Sequence, residues 1–184
     1  ETDLYYCDQI SDARKYAKEA CDILKLFYNS EEYTYALHQV AWYSYYLGDY
    51  EYAIPIQEEC VKKRENLFGT RHSYYINSLN LLSALYEGVG DVNKSIPIYK
   101  QILVSYESII GKENVDYSCS LNSLCETYTS IGDYNSALPL AKEALSIDLR
   151  LAQKGEYDRL DVSYNNVAYC YNHLGSVSYT HLRA

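Results

Sequence analysis

Gly90-Asp91-Val92-Asn93-Lys94-Ser95-Ile96-Pro97 stands in the middle of a threefold recurrence. It has a counterpart 42 residues earlier, Gly48-Asp49-Tyr50-Glu51-Tyr52-Ala53-Ile54-Pro55, and another 42 residues later, Gly132-Asp133-Tyr134-Asn135-Ser136-Ala137-Leu138-Pro139. All three prolines of the chain thus follow a Gly-Asp pair at the same distance. A fixed period of this size signals stacked units, each burying its apolar face against the next, rather than one irregular globule.

Within each copy the Gly-Asp pair reads as a stop followed by a start. Glycine just past a helix accepts the left-handed conformation in which the last carbonyls find donors. The aspartate after it can cap the next helix by accepting a backbone N–H, a contribution of about 1 kcal/mol. Apolar periodicity predicts first helices over 34–47, 75–89, 117–131 and 160–174, closed by Gly48, Gly90, Gly132 and Gly175. Second helices follow over 50–68, 92–110 and 134–153. Pro55, Pro97 and Pro139 lie past the first turn of these second helices, where each removes a hydrogen bond and can bend the helix. Upstream, residues 9–28 form another amphipathic run, whose Ala17-Lys18-Glu19-Ala20-Cys21 matches Ala141-Lys142-Glu143-Ala144-Leu145. Asn29-Ser30-Glu31-Glu32 reads as the connecting turn.

The packing face of the first helices repeats with i, i+3, i+4, i+7 spacing, which makes one helix side. Its members are Leu37, Val40, Ala41 and Ser44; Leu79, Leu82, Ser83 and Tyr86; Leu121, Leu124, Cys125 and Tyr128; and Tyr164, Val167, Ala168 and Tyr171. A small residue in mid-stripe lets two helix backbones approach. Ala53, Ser95 and Ala137 repeat the device in the second helices, as do Cys60 and Ala144, although Ile102 breaks that later series. Of the six cysteines, Cys60 and Cys125 are thereby explained as small buried residues, and no CxxC spacing suggests a metal or disulfide. Free thiols point to a reducing compartment, so a cytoplasmic location is expected.

These features resemble the tetratricopeptide repeat, in the longer 42-residue form found in kinesin light chains and many bacterial signalling proteins. The resemblance covers about residues 9–175 and rests on the small-residue positions, the closing tyrosine, the Gly-Asp-Tyr turn and the Ala-Ile/Leu-Pro segment. Phe68-Gly69-Thr70-Arg71-His72 and Ile110-Gly111-Lys112-Glu113-Asn114 resemble the Leu-Gly-x-x-His-Pro linker of that subfamily, without its proline. The third linker, Gln153-Lys154-Gly155-Glu156-Tyr157, has drifted and gained one residue. The resemblance implies an all-α, right-handed superhelical solenoid of antiparallel helix pairs, with about eight helices. Residues 1–30 would be the second helix of a truncated preceding repeat. The array over 31–175 would comprise units at 34–73, 74–114 and 115–158, then the first helix of a fourth at 159–175. Residues 176–184 break the pattern; their Val-Ser-Tyr-Thr-His-Leu-Arg-Ala resembles translated adapter sequence, which makes them a non-native tail, or else a divergent, disordered one.

On such a fold the inner wall is built mainly by the first helices, and the inward stripe is offset by one residue from the packing stripe. The expected peptide groove is lined by His38, Trp42, Tyr45, Asn80, Glu87, Asn122, Glu126, Asn165 and Tyr169. Asparagine recurs at one position in three consecutive units. An amide both donates and accepts, so such a ladder can hold the backbone of an extended peptide. The alternative is that these amides bond neighbouring helices. Trp42, Tyr45 and Tyr46 form an aromatic cluster suited to a binding hot spot or to helix packing. Glu87 and Glu126 would suit a basic peptide. Chaperone-tail binding needs lysine and arginine on this stripe and is not expected.

The function expected is therefore a protein-interaction scaffold that binds an extended peptide or partner helix. The alternative is the regulatory or sensor segment of a larger signalling enzyme, a kinase or protease, whose catalytic domain lies outside these 184 residues. No phosphate-cradling glycine loop, HExxH or GxSxG is present, and His38, His72 and His173 fall in separate units, so no catalytic, metal or cofactor site is expected. A net charge of −9 opposes nucleic-acid binding. No apolar run reaches membrane-spanning length. Self-association through uncapped ends is expected, because an end helix lacks its outer neighbour.

Overall fold

The computed structural model describes residues 2–181, with side chains described for residues 8–175. Eight α-helices succeed one another among them: α1 (Thr2–Leu24), α2 (Glu31–Tyr46), α3 (Tyr50–Phe68), α4 (Ser73–Gly88), α5 (Val92–Ile110), α6 (Val115–Ser130), α7 (Tyr134–Gln153) and α8 (Asp161–His181). A 3-10 turn, Lys25–Phe27, follows α1. The chain divides into two compact units, Glu1–Ile98 and Tyr99–Ala184. In the first, α1 packs on α2, α2 on α3 and α3 on α4, with α2 also touching α4. In the second, α6 packs on α7 and α7 on α8, with α6 also touching α8.

The hairpin turns follow from glycine chemistry. Gly48, Gly90 and Gly132 have φ of 76°, 76° and 75°. In that conformation Gly48 N–H donates to Tyr45 O (3.0 Å) and Asp49 N–H to Ser44 O (2.9 Å), so two orphan carbonyls at the end of α2 are satisfied. The same pair of bonds closes α4 at Gly90 and Asp91, and α6 at Gly132 and Asp133. The start signal is less uniform. Asp133 accepts from Ser136 N–H at 3.1 Å, but Asp49 makes no such cap, because its carboxylate pairs instead with Arg14 of α1. The helices run through Pro55, Pro97 and Pro139 without interruption.

The second helices α3, α5 and α7 have the expected bounds. The first helices α2, α4 and α6 start two or three residues early, because the linker supplies their caps, whereas α8 starts one residue late. Ser30 Oγ accepts from Tyr33 N–H, His72 Nδ1 from Tyr74 N–H, and Asn114 Oδ1 from Tyr117 N–H. Glu31 and Glu32 therefore belong to the first turn of α2, where carboxylates meet the positive end of the helix dipole. The larger correction concerns α8. It does not stop at Gly175 but continues to His181, and Gly175 has no positive φ. A glycine stop is held by the hairpin that folds back after it, and among the described residues no such hairpin forms at Gly175. The expected tail therefore starts as helix; residues 182–184 lie outside the described residues.

Each unit has its own core. In the first, Tyr33, Leu37 and Cys60 form one cluster and Ala41, Ala53, Leu81 and Leu85 another. In the second, Tyr117, Leu121, Ala144, Ile147 and Leu151 form one, and Cys125, Ala137, Ala141 and Cys170 the other. The packing stripes of α2, α4 and α6 are buried as expected, apart from half-buried Tyr128. That of α8 is not: Tyr164 and Tyr171 are 51% and 52% exposed, with no helix beyond α8 packed over them among the described residues. Ile102, which breaks the small-residue series, is fully buried.

Candidate functional site

Helical spacing on α2 and α4 assembles the most distinctive surface of the first unit. His38, Trp42, Tyr45 and Tyr46 rise from one side of α2, while Asn77, Asn80, Leu81 and Ala84 face them from α4. With Gln39 they line an open cavity of about 540 Å³. The aromatic rings form a connected group. Trp42 and Tyr46 meet edge to face at 5.1 Å, Tyr45 and Tyr46 do so at 5.6 Å, and His38 stacks toward Trp42 at 6.3 Å. Tyr50 of α3 props Tyr45 from behind at 5.6 Å. Gly88 permits this: a Cβ there would lie 2.9 Å from the Tyr50 ring.

His38 is held by the interior. Gln57, fully buried on α3, sets its Nε2 3.2 Å from His38 Nδ1 and donates to Ser78 O at 2.7 Å. Burial, reinforced by the nearby positive charge of Arg64, pushes the His38 pKa down to about 4, against a smaller opposing effect of the Gln57 contact. The imidazole is thus neutral near neutral pH. Arg64 is itself buried and donates to Tyr74 O at 2.9 Å. Among the described residues the side-chain amides of Asn77 and Asn80 have no hydrogen-bond partner and stand at the cavity wall. Glu87 is exposed on the last turn of α4 and does not line the cavity.

The second unit treats the corresponding positions differently. Asn122 is 5% exposed; its Nδ2 donates to Ser163 Oγ at 2.8 Å and its Oδ1 accepts from Asn166 Nδ2 at 3.1 Å. Ser163 and Ser118 both donate to the carboxylate of Asp148, which is 1% exposed on α7. Asn166 also reaches Glu126 Oε1 at 3.4 Å. Asn165 is exposed, and Tyr169, 49% exposed, lies against His173 at 4.4 Å and Tyr134 at 6.1 Å.

Of the nine residues expected in a groove, the structure thus gathers His38, Trp42, Tyr45 and Asn80 into one cavity. It joins Asn122 and Glu126 through Asn166, and it leaves Glu87, Asn165 and Tyr169 on the surface. Sequence reasoning missed Gln39 and Asn77, each one helical turn before a residue it did identify (Trp42 or Asn80). It also missed Asp148, whose only signal was a carboxylate on the apolar side of an amphipathic helix. Groups of three or more His, Cys, Asp or Glu placed to hold a metal are absent among the described residues. No helix among them is long and apolar enough to cross a membrane.

A family model described as tetratricopeptide repeat matches residues 34–74. No curated protein matches the chain. Among solved structures, the chain is similar to nearly identical TPR-like repeats from a Podosopora anserina chain described as a kinesin light chain. There the TM-score is 0.80 at 17% identity, over 92% of this chain and 81% of that one. It is also similar to BtubC (BKLC) of P. vanneervenii, with a TM-score of 0.58 at 14% identity over 92% and 83% of the two chains. Bacillus thuringiensis PlcR, in complex with the peptide PapR7 and DNA, follows with a TM-score of 0.50 at 17% identity, over 99% and 75%. With its Gly-Asp hairpins and sequential helix packing, this chain is all α, carries a tetratricopeptide-repeat match over residues 34–74, and is structurally similar to kinesin-light-chain-like repeats.

Proposed function

We propose that this chain is a peptide-binding scaffold whose ligand, an extended segment or a partner helix, lies along the inner faces of its first helices. Tetratricopeptide repeats are generally protein-interaction modules and typically non-catalytic, so the open matter is where this one binds. The observation that carries the reading is the cavity between α2 and α4. It combines exposed aromatic rings, which offer contact area for little lost rotamer freedom, with amides that have no partner of their own. Asn80 and Asn77 would bond the peptide backbone, while Trp42, Tyr45 and His38 hold a side chain. In the second unit, taken by itself, Glu126, Asn165 and Tyr169 would offer contacts of their own, with Asn122 acting through the network that positions Asn166. PlcR, solved with a bound peptide, is a precedent for that ligand class on a comparable fold.

The test is selection from a phage-displayed peptide library against the wild-type chain, followed by titration of the selected peptides against Trp42→Ala and Asn80→Ala. Each variant is expected to weaken binding by about tenfold, the loss of one hot-spot contact. Unchanged dissociation constants for every selected peptide would remove the groove from consideration.

Self-association is a second reading, favoured by one observation. Ala13, Ala17 and Ala20 of α1 match Ala137, Ala141 and Ala144 of α7, which are fully buried against their neighbours. Yet the three alanines of α1 line an open groove of about 560 Å³ with Tyr16 and Tyr35. A second copy's α8, which exposes Tyr164 and Tyr171, has the repeat position to fill it. Sedimentation that is independent of concentration would dismiss this reading.

A further inference from the structure

We infer that the cavity between α2 and α4 receives a cationic side chain, a lysine or arginine of the bound peptide, against the faces of Trp42 and Tyr46. The inference rests on the groove reading and adds the chemistry of its ligand. Trp42 and Tyr46 stand at 72° to one another and Tyr45 and Tyr46 at 83°, so the cluster presents walls rather than a flat stack. Trp42 is 39% and Tyr46 54% exposed, which leaves ring surface open. An aromatic face is the negative end of the ring quadrupole and attracts a cation within about 6 Å of the centroid.

The rest of the chain shows how it treats such faces. In the first unit Arg14 lies over Tyr52, Lys63 over Tyr28 and Tyr33, Arg64 over Tyr74 and Lys94 over Tyr86. In the second, Lys100, Lys112 and Lys142 cover Tyr128, Tyr117 and Tyr171. Among the described residues no lysine or arginine lies over Trp42, Tyr45 or Tyr46, and none lines the cavity.

The lining argues against the other side-chain classes. An anionic residue would meet ring faces inside a protein of net charge −9. A purely apolar residue would desolvate the amides of Gln39, Asn77 and Asn80 without offering them a bond. A guanidinium or ammonium group covers the rings and donates to the amide oxygens at once.

Trp42 is the only tryptophan of the chain, so its emission reports this cavity directly. The probes are acetyl-Ala-Arg-Ala-Arg-Ala-Arg-amide and its analogues with citrulline, norleucine or glutamate in place of each arginine. The arginine peptide is expected to change Trp42 emission saturably, and the neutral citrulline isostere to bind at least about tenfold more weakly. Tyr46→Leu should weaken the arginine peptide by a similar factor, Tyr46→Phe should restore it, and Tyr52→Leu, on α3 outside the cavity lining, should leave it unchanged. Equal binding of the arginine and citrulline peptides would overturn the inference while leaving the groove reading standing. Equal loss in Tyr46→Leu and Tyr52→Leu would overturn it too, as mere attraction to an acidic surface. If none of the four probes perturbs Trp42, the cationic ligand is wrong, and the fate of the groove rests on the phage-selected peptides alone.

Discussion

Asn80 in the first unit and Asn122 in the second stand 42 residues apart, at the same place in consecutive repeats. Asn80 borders an open cavity and its amide has no partner among the described residues, whereas Asn122 is buried and uses both ends of its amide on α8. The backbone register is the same in both; the neighbours differ. At Asn122, Asp148 anchors Ser163, and Ser163 is then fixed to accept from the amide. The residue 42 positions before Asp148 is Tyr106, which has no carboxylate to anchor such a chain. A repeat position therefore sets where a side chain starts, and the hydrogen-bonding partners within reach set what it does. The first unit keeps its polar groups open, and the second closes them into a network.

Four experiments would break or sharpen that contrast. The largest effect should be common to both units, since the contrast presumes equally sound cores. Leu82→Ala and Leu124→Ala, at 6% and 1% exposure, should each cost about 2–5 kcal/mol in denaturant titration. A loss below about 1 kcal/mol in either would mean that its stripe does not carry the packing.

The next effect belongs to the first unit alone. His38 has a folded pKa of about 4 against an ordinary imidazole value of 6.5. Between those values the unfolded chain binds more protons than the folded one. Stability is therefore full above about pH 6.5 and falls as the pH drops toward 4, by about 3 kcal/mol at most. His38→Gln should flatten this part of the stability profile; parallel profiles for wild type and variant would contradict the buried, neutral imidazole.

The sharpest comparison exchanges one residue type in two places. Asn122→Ala should destabilise by about 1–3 kcal/mol, because Ser163 and Asn166 lose a buried partner. Asn80→Ala should cost no more than about 0.5 kcal/mol, as surface changes usually do, and should act on peptide affinity instead. Equal thermal stabilities for the two variants would erase the distinction between the units.

The smallest effects concern glycine. Gly90→Ala should destabilise by about 1 kcal/mol, since alanine resists the left-handed conformation found there. Gly175→Ala should do the opposite by a similar amount, because it sits inside a helix and an added Cβ meets nothing within 4 Å. A melting temperature that moves in the same direction for both would refute the continuous α8.

Much of the fold was legible because its punctuation is local. Three second helices end where periodicity places them, and Gly48, Gly90 and Gly132 turn the chain as their type predicts. The starts of α2, α4 and α6 were misjudged by two or three residues because Ser30, His72 and Asn114 cap from linkers that looked like plain turns. The site was legible in part. Spacing alone put His38, Trp42 and Tyr45 on one side of α2, but it gave Asn80, Asn122 and Asn165 a single role. Likewise Asp49, Asp91 and Asp133 read alike, yet Asp133 caps its helix while Asp49 pairs with an arginine 35 residues away.

The amino-acid order by itself determined the period, the helix pairs and the glycine turns, since each depends on the conformational preference of one residue or the spacing of near neighbours. Only tertiary structure decided which amide stays open, which carboxylate caps, and where α8 ends. Those outcomes are competitions for hydrogen-bond partners and burial between residues tens of positions apart, and no local pattern records who wins them.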